Sequence, residues 1–205
     1  MLYALDLAGT FVFALSGAVR AVRHDLDLLG MFVLATLTGI GGGLIRDALL
    51  GATPAAAFQD EAYFLVCLLG GVAVFFGGRY IQQGWNVVRV LDAIGLGVFA
   101  GIGAAKAIAF GLGPIGVLIM AALTATGGGV VRDVLVREVP AVISTDFYAT
   151  AALLGGAAFL GAYALGVNEA LQLTSATIVT SGLRFYAMRK KLRLPKARIG
   201  HITGQ

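Results

Sequence analysis

Charge is scarce in this sequence. Its 15 basic and 11 acidic residues make up 13% of a 205-residue chain, about half the ~25% usual in soluble domains. With 59% of the residues apolar and 30 more glycine, too little polar surface remains to clothe a water-soluble fold, and an integral membrane protein is the class that fits. Cysteine is limited to Cys67, which excludes an internal disulfide and a thiolate metal cluster. The two histidines, His24 and His201, lie far apart and show no His-Glu-x-x-His or Cys/His spacing, so no zinc site is read. Proline is limited to four residues and glycine has no three-residue period, which excludes collagen, and the apolar content excludes disorder. Gly111, Gly113 and Gly116 match a dinucleotide-binding spacing, but they sit between two apolar runs and read as a turn. The glycine triplets described below lack the Gly-Lys-Ser/Thr ending of a phosphate loop. These absences point away from an enzyme and from any bound cofactor or metal.

Long apolar runs are what the chain does have. A helix needs about 20 mostly apolar residues to cross a ~30 Å hydrocarbon layer, and seven segments qualify: 3–22, 28–50, 62–80, 87–109, 114–136, 146–165 and 169–188. They are continuously apolar rather than alternating, so helices are expected and not barrel strands. The first run has no basic leader and reads as a retained span, not a removed signal. Basic residues favour the cytoplasmic side. The tail Arg189, Lys190, Lys191, Arg193, Lys196 and Arg198 therefore places the C-terminus in the cytoplasm, and seven crossings place the N-terminus outside. Arg20, Arg23, Arg79, Arg89 and Arg137 fall on cytoplasmic connections in this topology, and Asp60, Glu61 and Glu169 on the opposite ones. Tyr80 and Trp85 are placed to anchor at the headgroups. The basic tail reads as a topology and lipid anchor, not a nucleic-acid arm.

Displaced by 86 positions, the sequence matches itself without gaps. Asp6 pairs with Asp92, Gly9 with Gly95, Val12-Phe13-Ala14 with Val98-Phe99-Ala100, Gly17 with Gly103, and Thr38 with Thr124. The match continues through Gly41-Gly42-Gly43 with Gly127-Gly128-Gly129, Arg46-Asp47 with Arg132-Asp133, Pro54 with Pro140 and Asp60 with Asp146. Each unit holds three spans. An odd number makes the second copy enter the membrane from the other side, so the fold expected is an all-α membrane protein of two inverted three-helix repeats plus a seventh helix. One transmembrane domain, 1–188, holds repeat one at about 3–80, repeat two at about 87–165 and the seventh helix at about 169–188. Residues 189–205 form a basic cytoplasmic tail.

The triplets Gly41, Gly42, Gly43 and Gly127, Gly128, Gly129 lie inside spans two and five. Three adjacent glycines weaken a helix by up to about 1 kcal/mol each relative to alanine and invite a kink or break. Exposed backbone in a membrane must line a wet cavity or be buried in protein, so two inverted breaks suggest a shared polar pathway; close helix packing is the competing reading. The Arg46-Asp47 and Arg132-Asp133 pairs, one turn beyond each triplet, favour the pathway, because charge within a span usually faces a partner or water. Their late position also permits a simple helix-end role at the headgroups. Asp6 and Asp92 would sit at the pathway mouths, with Lys106 and Arg20 as equivalent counter-charges. Ser16, Thr36, Thr38, Thr124 and Thr126 offer hydroxyls to the route, although bonding back to their own helix is the commoner fate.

These residues resemble the trimeric intracellular cation channel family, prokaryotic members included, over essentially the whole chain. The doubled Gly-Gly-Gly-x-x-Arg-Asp pattern, the two three-helix units and the solitary last helix carry the likeness. The resemblance implies a homotrimer with one pore per protomer, monovalent cations, chiefly potassium, passing kinks at Gly41–Gly43 and Gly127–Gly129, and an extracytoplasmic N-terminus in a cell membrane. Animal members carry a Lys-Glu-Val element associated with phosphoinositides, and Arg132-Asp133-Val134 is similar to it in charge order. The same repeat is also linked to small-solute, possibly glycine, transporters, which keeps a secondary transporter as the second reading. An assembly protein in which every glycine packs and every charge anchors is the third.

Overall fold

The computed structural model describes residues 1–81, 87–144 and 147–192. The side chains of Arg79 and Tyr80, together with Trp85, Asp146, Arg193, Lys196, Arg198 and His201, lie outside what is described. The described residues form helices α1 (Leu2–Arg23), α2 (Leu28–Leu50), α3 (Ala56–Gln59), α4 (Ala62–Ile81), α5 (Val87–Ala109), α6 (Pro114–Leu135), α7 (Ala141–Ser144), α8 (Ala149–Ala164) and α9 (Glu169–Lys190). The two four-residue helices were not anticipated. The seven longer ones fall where the apolar runs lie, and α8 starts at Ala149 rather than at 146, after Phe147 takes a left-handed backbone.

Local chemistry sets the boundaries. Asp27 caps α2 by accepting the Gly30 N–H at 2.7 Å, and Asn168 caps α9 through the Leu171 N–H. Pro114 opens α6, where its missing N–H is harmless. Gly51, with φ of 70°, ends α2 in the left-handed conformation glycine permits. The repeat puts Arg137 at the equivalent place after α6, also left-handed at φ 58°. A side chain there costs about 1–2 kcal/mol, yet the same capping bond forms: the Glu138 N–H reaches the Asp133 carbonyl as the Ala52 N–H reaches that of Asp47.

The helices assemble as two like bundles. α1 packs on α2 and α4, and α5 packs on α6 and α8; α1 against α5 and α2 against α6 join the bundles, and α9 lies on α5 and α8. One buried core gathers Ala14, Ala18, Leu34, Tyr63, Cys67 and Val74; the other gathers Phe13, Leu96, Phe99, Ile102, Met120 and Phe159. Large apolar side chains also point outward, among them Leu65, Leu69, Phe75 and Phe76 on α4 and Ile178 on α9. Exposure of this kind is unfavourable in water and suits lipid. α1, α2, α5 and α6 are each long and apolar enough to cross a membrane, and Ala62–Gly77 and Ala149–Ala164 are shorter apolar helices.

Candidate functional site

At the glycine triplets the helices are not interrupted. α2 runs as one α-helix through Gly41, Gly42 and Gly43, and α6 through Gly127, Gly128 and Gly129. What the glycines supply is proximity. A Cβ on Gly42 would collide with the Thr124 carbonyl oxygen, and one on Gly128 with the Thr38 carbonyl oxygen. On Gly127 it would lie 3.0 Å from Gly42 Cα. The contact is reciprocal under the 86-residue shift, so α2 and α6 cross backbone to backbone about a two-fold centre, the small-residue packing seen in membrane bundles. Only the third glycine of each triplet turns elsewhere: Gly43 faces the Arg46 guanidinium and Gly129 the Tyr148 hydroxyl. The Thr38 and Thr124 hydroxyls donate to the Leu34 and Met120 carbonyls of their own helices, as Thr126 does to Ala122.

The charged residues gather into two clusters at opposite ends of α1 and α5. Asp6 and Arg20 mark those ends on α1; 14 residues apart, they are separated by about 21 Å along the helix. In the first cluster Arg46 Nε donates to Asp47 at 2.8 Å and Lys106 Nζ to the same oxygen at 2.7 Å, while the Ala56 N–H at the start of α3 takes the other oxygen at 3.0 Å. The Tyr63 hydroxyl donates to Asp6 at 2.9 Å. Arg46 is 2% exposed and its Nη1 has no hydrogen-bond partner. Nearby, outside the long helices, Asp60 receives the Tyr3 hydroxyl and the Ala62 N–H, which hold its carboxyl below the usual carboxylate range.

The second cluster uses the equivalent residues and is closed. Arg132, fully buried, donates Nη1 and Nη2 to the two oxygens of Asp92 at 2.6 and 2.9 Å, and Nε to Asp133 at 2.9 Å. Ser16 reaches across from α1 to donate to Asp92 at 2.7 Å. The Ala141 N–H at the start of α7 takes the second Asp133 oxygen at 2.9 Å, as Ala56 does for Asp47. Arg20 stands in for Lys106, 3.8 Å from Asp133, and also holds Glu138 at 2.8 Å together with His24 at 2.7 Å. Tyr148 lies beneath Arg184 of α9, whose guanidinium is 4.9 Å from the ring centre. Both Arg-Asp pairs, in the last turns of α2 and α6, are thus buried in protein and ion-paired.

Each cluster opens onto a cavity. The first borders one of about 290 Å³ lined by Tyr3, Asp6, Arg46, Tyr63 and Lys106, and a second space of about 10 Å³, room for roughly one water, has Asp6, Thr10, Gly39, Gly43, Arg46 and Phe99 in its lining. The second borders one of about 220 Å³ lined by Arg20, Arg89, Asp92, Arg132, Glu138 and Arg184. Sequence reasoning missed Tyr63, Tyr148, Glu138 and Arg184. The tyrosines had a signal: each follows its repeat's Asp60 or Asp146 by two or three positions, a one-residue slip that an ungapped match cannot register.

Fold and site together define an all-helical integral membrane protein of two like halves, each with a buried Arg-Asp centre beside a polar recess. Comparison with known proteins makes the class specific. The family model described as "Glycine transporter" matches residues 3–79 and again 89–164. A UPF0126 membrane protein of Vibrio cholerae is 41% identical, covering 95% of this chain and 82% of that one, and the Escherichia coli UPF0126 inner membrane protein YadS is 37% identical over 95% of both. Among solved structures, the TRIC trimeric intracellular cation channel orthologue of Rhodobacter sphaeroides is similar at a TM-score of 0.89 and 38% identity, covering 93% of this chain and 98% of that one. A second TRIC cation channel chain is similar at 0.87 and 39% identity, covering 96% and 97%. The chain belongs to the trimeric intracellular cation channel family, as a relative of the UPF0126 membrane proteins.

Proposed function

We propose that this protein is a passive channel for monovalent cations, chiefly potassium, assembled as a homotrimer with a pore inside each protomer. Residues 1–188 form a single transmembrane domain of seven crossings: an inverted pair of three-helix repeats at about 3–80 and 87–165 and a seventh helix at 169–188. The N-terminus faces outside a prokaryotic inner membrane, and the basic 189–205 tail meets cytoplasmic lipid headgroups. The permeant ion is the only small ligand, and neither cofactor nor nucleic acid takes part.

One observation carries this reading. Asp6, Arg46, Asp47 and Lys106 at one end, and Asp92, Arg132, Asp133 and Arg20 at the other, are the same constellation built twice on α1, α2, α5 and α6, each open to a recess. Two recesses that share α1 and α5, the first completed by α2 and the second by α6, are the two halves of one route. Carboxylates at its mouths raise the local cation concentration, and the arginines keep the carboxylates compensated when no ion is present. The triplets Gly41–Gly43 and Gly127–Gly129, packed and helical in this structure, are where α2 and α6 bend to connect the recesses, since glycine resists bending least. Thr38 and Thr124 then line the opened segment. The channel names of the solved neighbours support conduction.

The test is potassium flux in proteoliposomes of the purified trimer, with single-channel recording. Unitary currents that reverse with the potassium gradient are expected. Saturable, stoichiometric solute uptake without unitary currents would favour a secondary transporter of a small solute such as glycine; neither flux nor uptake would leave an assembly role.

A further inference from the structure

We propose that Tyr63 and Tyr148 are gating residues, each exchanging with an arginine for the acid at its own mouth of the route, and that the structure holds the two ends in opposite states of this exchange; the inference rests on the channel reading above. Each repeat supplies one set of three groups. An acid on its first helix, Asp6 of α1 or Asp92 of α5, is matched by an arginine late in its second, Arg46 of α2 or Arg132 of α6. A tyrosine stands at the start of its third long helix, Tyr63 in the first turn of α4 or Tyr148 at the cap of α8. Asp6, Arg46 and Tyr63 line the first recess together, and Asp92, Arg132 and Tyr148 the second.

The acid is held differently at the two ends. Tyr63 donates to Asp6 at 2.9 Å, and the buried Arg46 is left with Nη1 unpartnered among the described residues. At the other end Arg132 takes both oxygens of Asp92 at 2.6 and 2.9 Å, and the buried Tyr148 hydroxyl is the group left without a partner. That hydroxyl lies within electrostatic reach of Asp92 and of Arg132. The orphan at each end is thus the group whose counterpart holds the acid at the other. Buried polar groups are seldom left unmatched, and each exception asks for a reason. Here one move at either end, the acid passing from one holder to the other, satisfies the existing orphan and creates its alternative. Both arrangements leave one buried group unsatisfied and so carry a like penalty, the balance that a two-state element needs. The move also changes which helices are tied. In the hands of Arg132, Asp92 fastens α5 to α6; in those of Tyr148 it fastens α5 to α8, as Asp6 now fastens α1 to α4. The recess beside the tyrosine-held acid is the larger, about 290 against 220 Å³. The arginine-held end is therefore the closed one, and conduction requires Asp92 to pass to Tyr148.

The experiment compares potassium efflux from proteoliposomes of full-length wild type, Y148F and T180V, together with the unfolding temperature of each in detergent. Y148F breaks no hydrogen bond of the structure, and deleting an unsatisfied buried hydroxyl does not lower stability. Thr180 of α9 is the control, a second fully buried hydroxyl without a partner that lies outside the recess lining. Y148F is expected to reduce flux about five-fold or more, the population shift that one hydrogen bond commands, with its unfolding temperature unchanged or raised. T180V is expected to conduct as wild type does. An arm independent of flux uses R132M, in which Asp92 has lost its holder: adding Y148F there is expected to lower the unfolding temperature by about 2 °C or more, because the tyrosine now carries the acid. Full flux in Y148F, an equal fall in T180V, or no cost of Y148F in a folded R132M overturns the exchange and leaves the channel reading standing. If R132M does not fold, the flux of Y148F decides. A wild type that passes no potassium overturns the channel reading and the gating role with it.

Discussion

The two charged clusters are built from the same residues and are not in the same state. Around Asp92 every nitrogen of the Arg132 guanidinium is engaged: Nη1 and Nη2 hold Asp92, Nη1 also donates to Ser16, and Nε holds Asp133. Around Asp6 the matching arginine, Arg46, holds only its neighbour Asp47 and leaves Nη1 without a partner, while Tyr63 occupies Asp6. Duplication fixed the charges; the surroundings fixed their pairing. Two differences account for it. The serine that bridges into the second cluster, Ser16, corresponds to Ile102 at the first, so no hydroxyl arrives there from α5. And α9 belongs to the second bundle, where Arg184 lies over the Tyr148 ring. The Tyr148 hydroxyl makes no hydrogen bond, so Asp92 is left to Arg132.

The comparison breaks most severely at the arginines. Removing one member of a buried ion pair leaves an uncompensated charge and costs about 3–5 kcal/mol. R132A, which strands Asp92 and partly strands Asp133, is expected to lose that much, read as a large drop in the unfolding temperature of the detergent-solubilised protein. R46A leaves Asp47 with Lys106 and the Ala56 N–H, and Asp6 with Tyr63. Its loss is expected near 1–3 kcal/mol, the value of hydrogen bonds to a charged group. Equal losses would show that the two ends are equivalent and that the unpaired Nη1 is of no energetic consequence.

At the triplets the halves should behave alike. Alanine at Gly42 or Gly128 drives a methyl into a backbone carbonyl of the facing helix, which cannot rotate aside as a side chain would. Overpacking of this kind costs about 1–3 kcal/mol, and G42A and G128A are expected to lose equal amounts of thermal stability within error. Alanine at Gly43, whose Cβ position meets nothing nearer than the Arg46 guanidinium at 3.6 Å, is expected to be tolerated. Unequal effects of G42A and G128A would refute the reciprocal crossing.

These contrasts explain what could be read without coordinates. The helices were legible because lipid demands about 20 apolar residues per crossing: 28–50 and 87–109 coincide with α2 and α5 to the residue. The short α3 and α7 were not, since four residues leave no periodicity; they exist to aim the Ala56 and Ala141 N–H groups at Asp47 and Asp133. The site residues were nameable because charge within an apolar run stands out, and Arg46, Asp47, Arg132, Asp133, Asp6, Asp92 and Lys106 all lie in the two clusters. Their partners were not legible. Whether a buried arginine takes the acid beside it or one on another helix depends on distances of an ångström or two; Ser16 could be named as a hydroxyl but not as the partner of Asp92, and Tyr63 carries no charge that would mark it. The triplets could be read as weak points or as packing sites, and propensity alone could not choose; the close contact between α2 and α6 along an uninterrupted helix was visible only in the fold.

A smaller effect separates the clusters at Ser16. S16A removes the hydroxyl that donates to Asp92 and accepts from Arg132 Nη1 but leaves the Arg132–Asp92 pair in place. Side-chain hydrogen bonds within membrane bundles are worth about 0.6 kcal/mol on average and at most about 1.7, so a loss in that range is expected. I102A at the equivalent position of α5 removes apolar bulk and no hydrogen bond, and only S16A should loosen Asp92, seen as faster amide exchange in the first turns of α5.

The gentlest change sharpens the comparison most. Y63F removes one hydroxyl, again about 0.6 kcal/mol, but it also frees the Asp6 oxygen that Tyr63 holds. Arg46 already lies buried in the same pocket wall as Asp6, with Nη1 unpaired. Freed of the tyrosine, Asp6 is an acid in the same wall to which that nitrogen can turn, and the first cluster then takes the pairing of the second. The net stability change is expected to fall below the 0.6 kcal/mol of the lost bond, because a charge-assisted bond replaces a neutral one. The decisive measurement is a double-mutant cycle of D6N with R46A, run in the wild-type and in the Y63F background: the Asp6–Arg46 coupling should rise by about 1 kcal/mol or more once Tyr63 is replaced. If the coupling does not rise once Tyr63 is gone, it is not the tyrosine that sets the two ends apart, and the difference must lie in the backbone positions of α1 and α2 themselves.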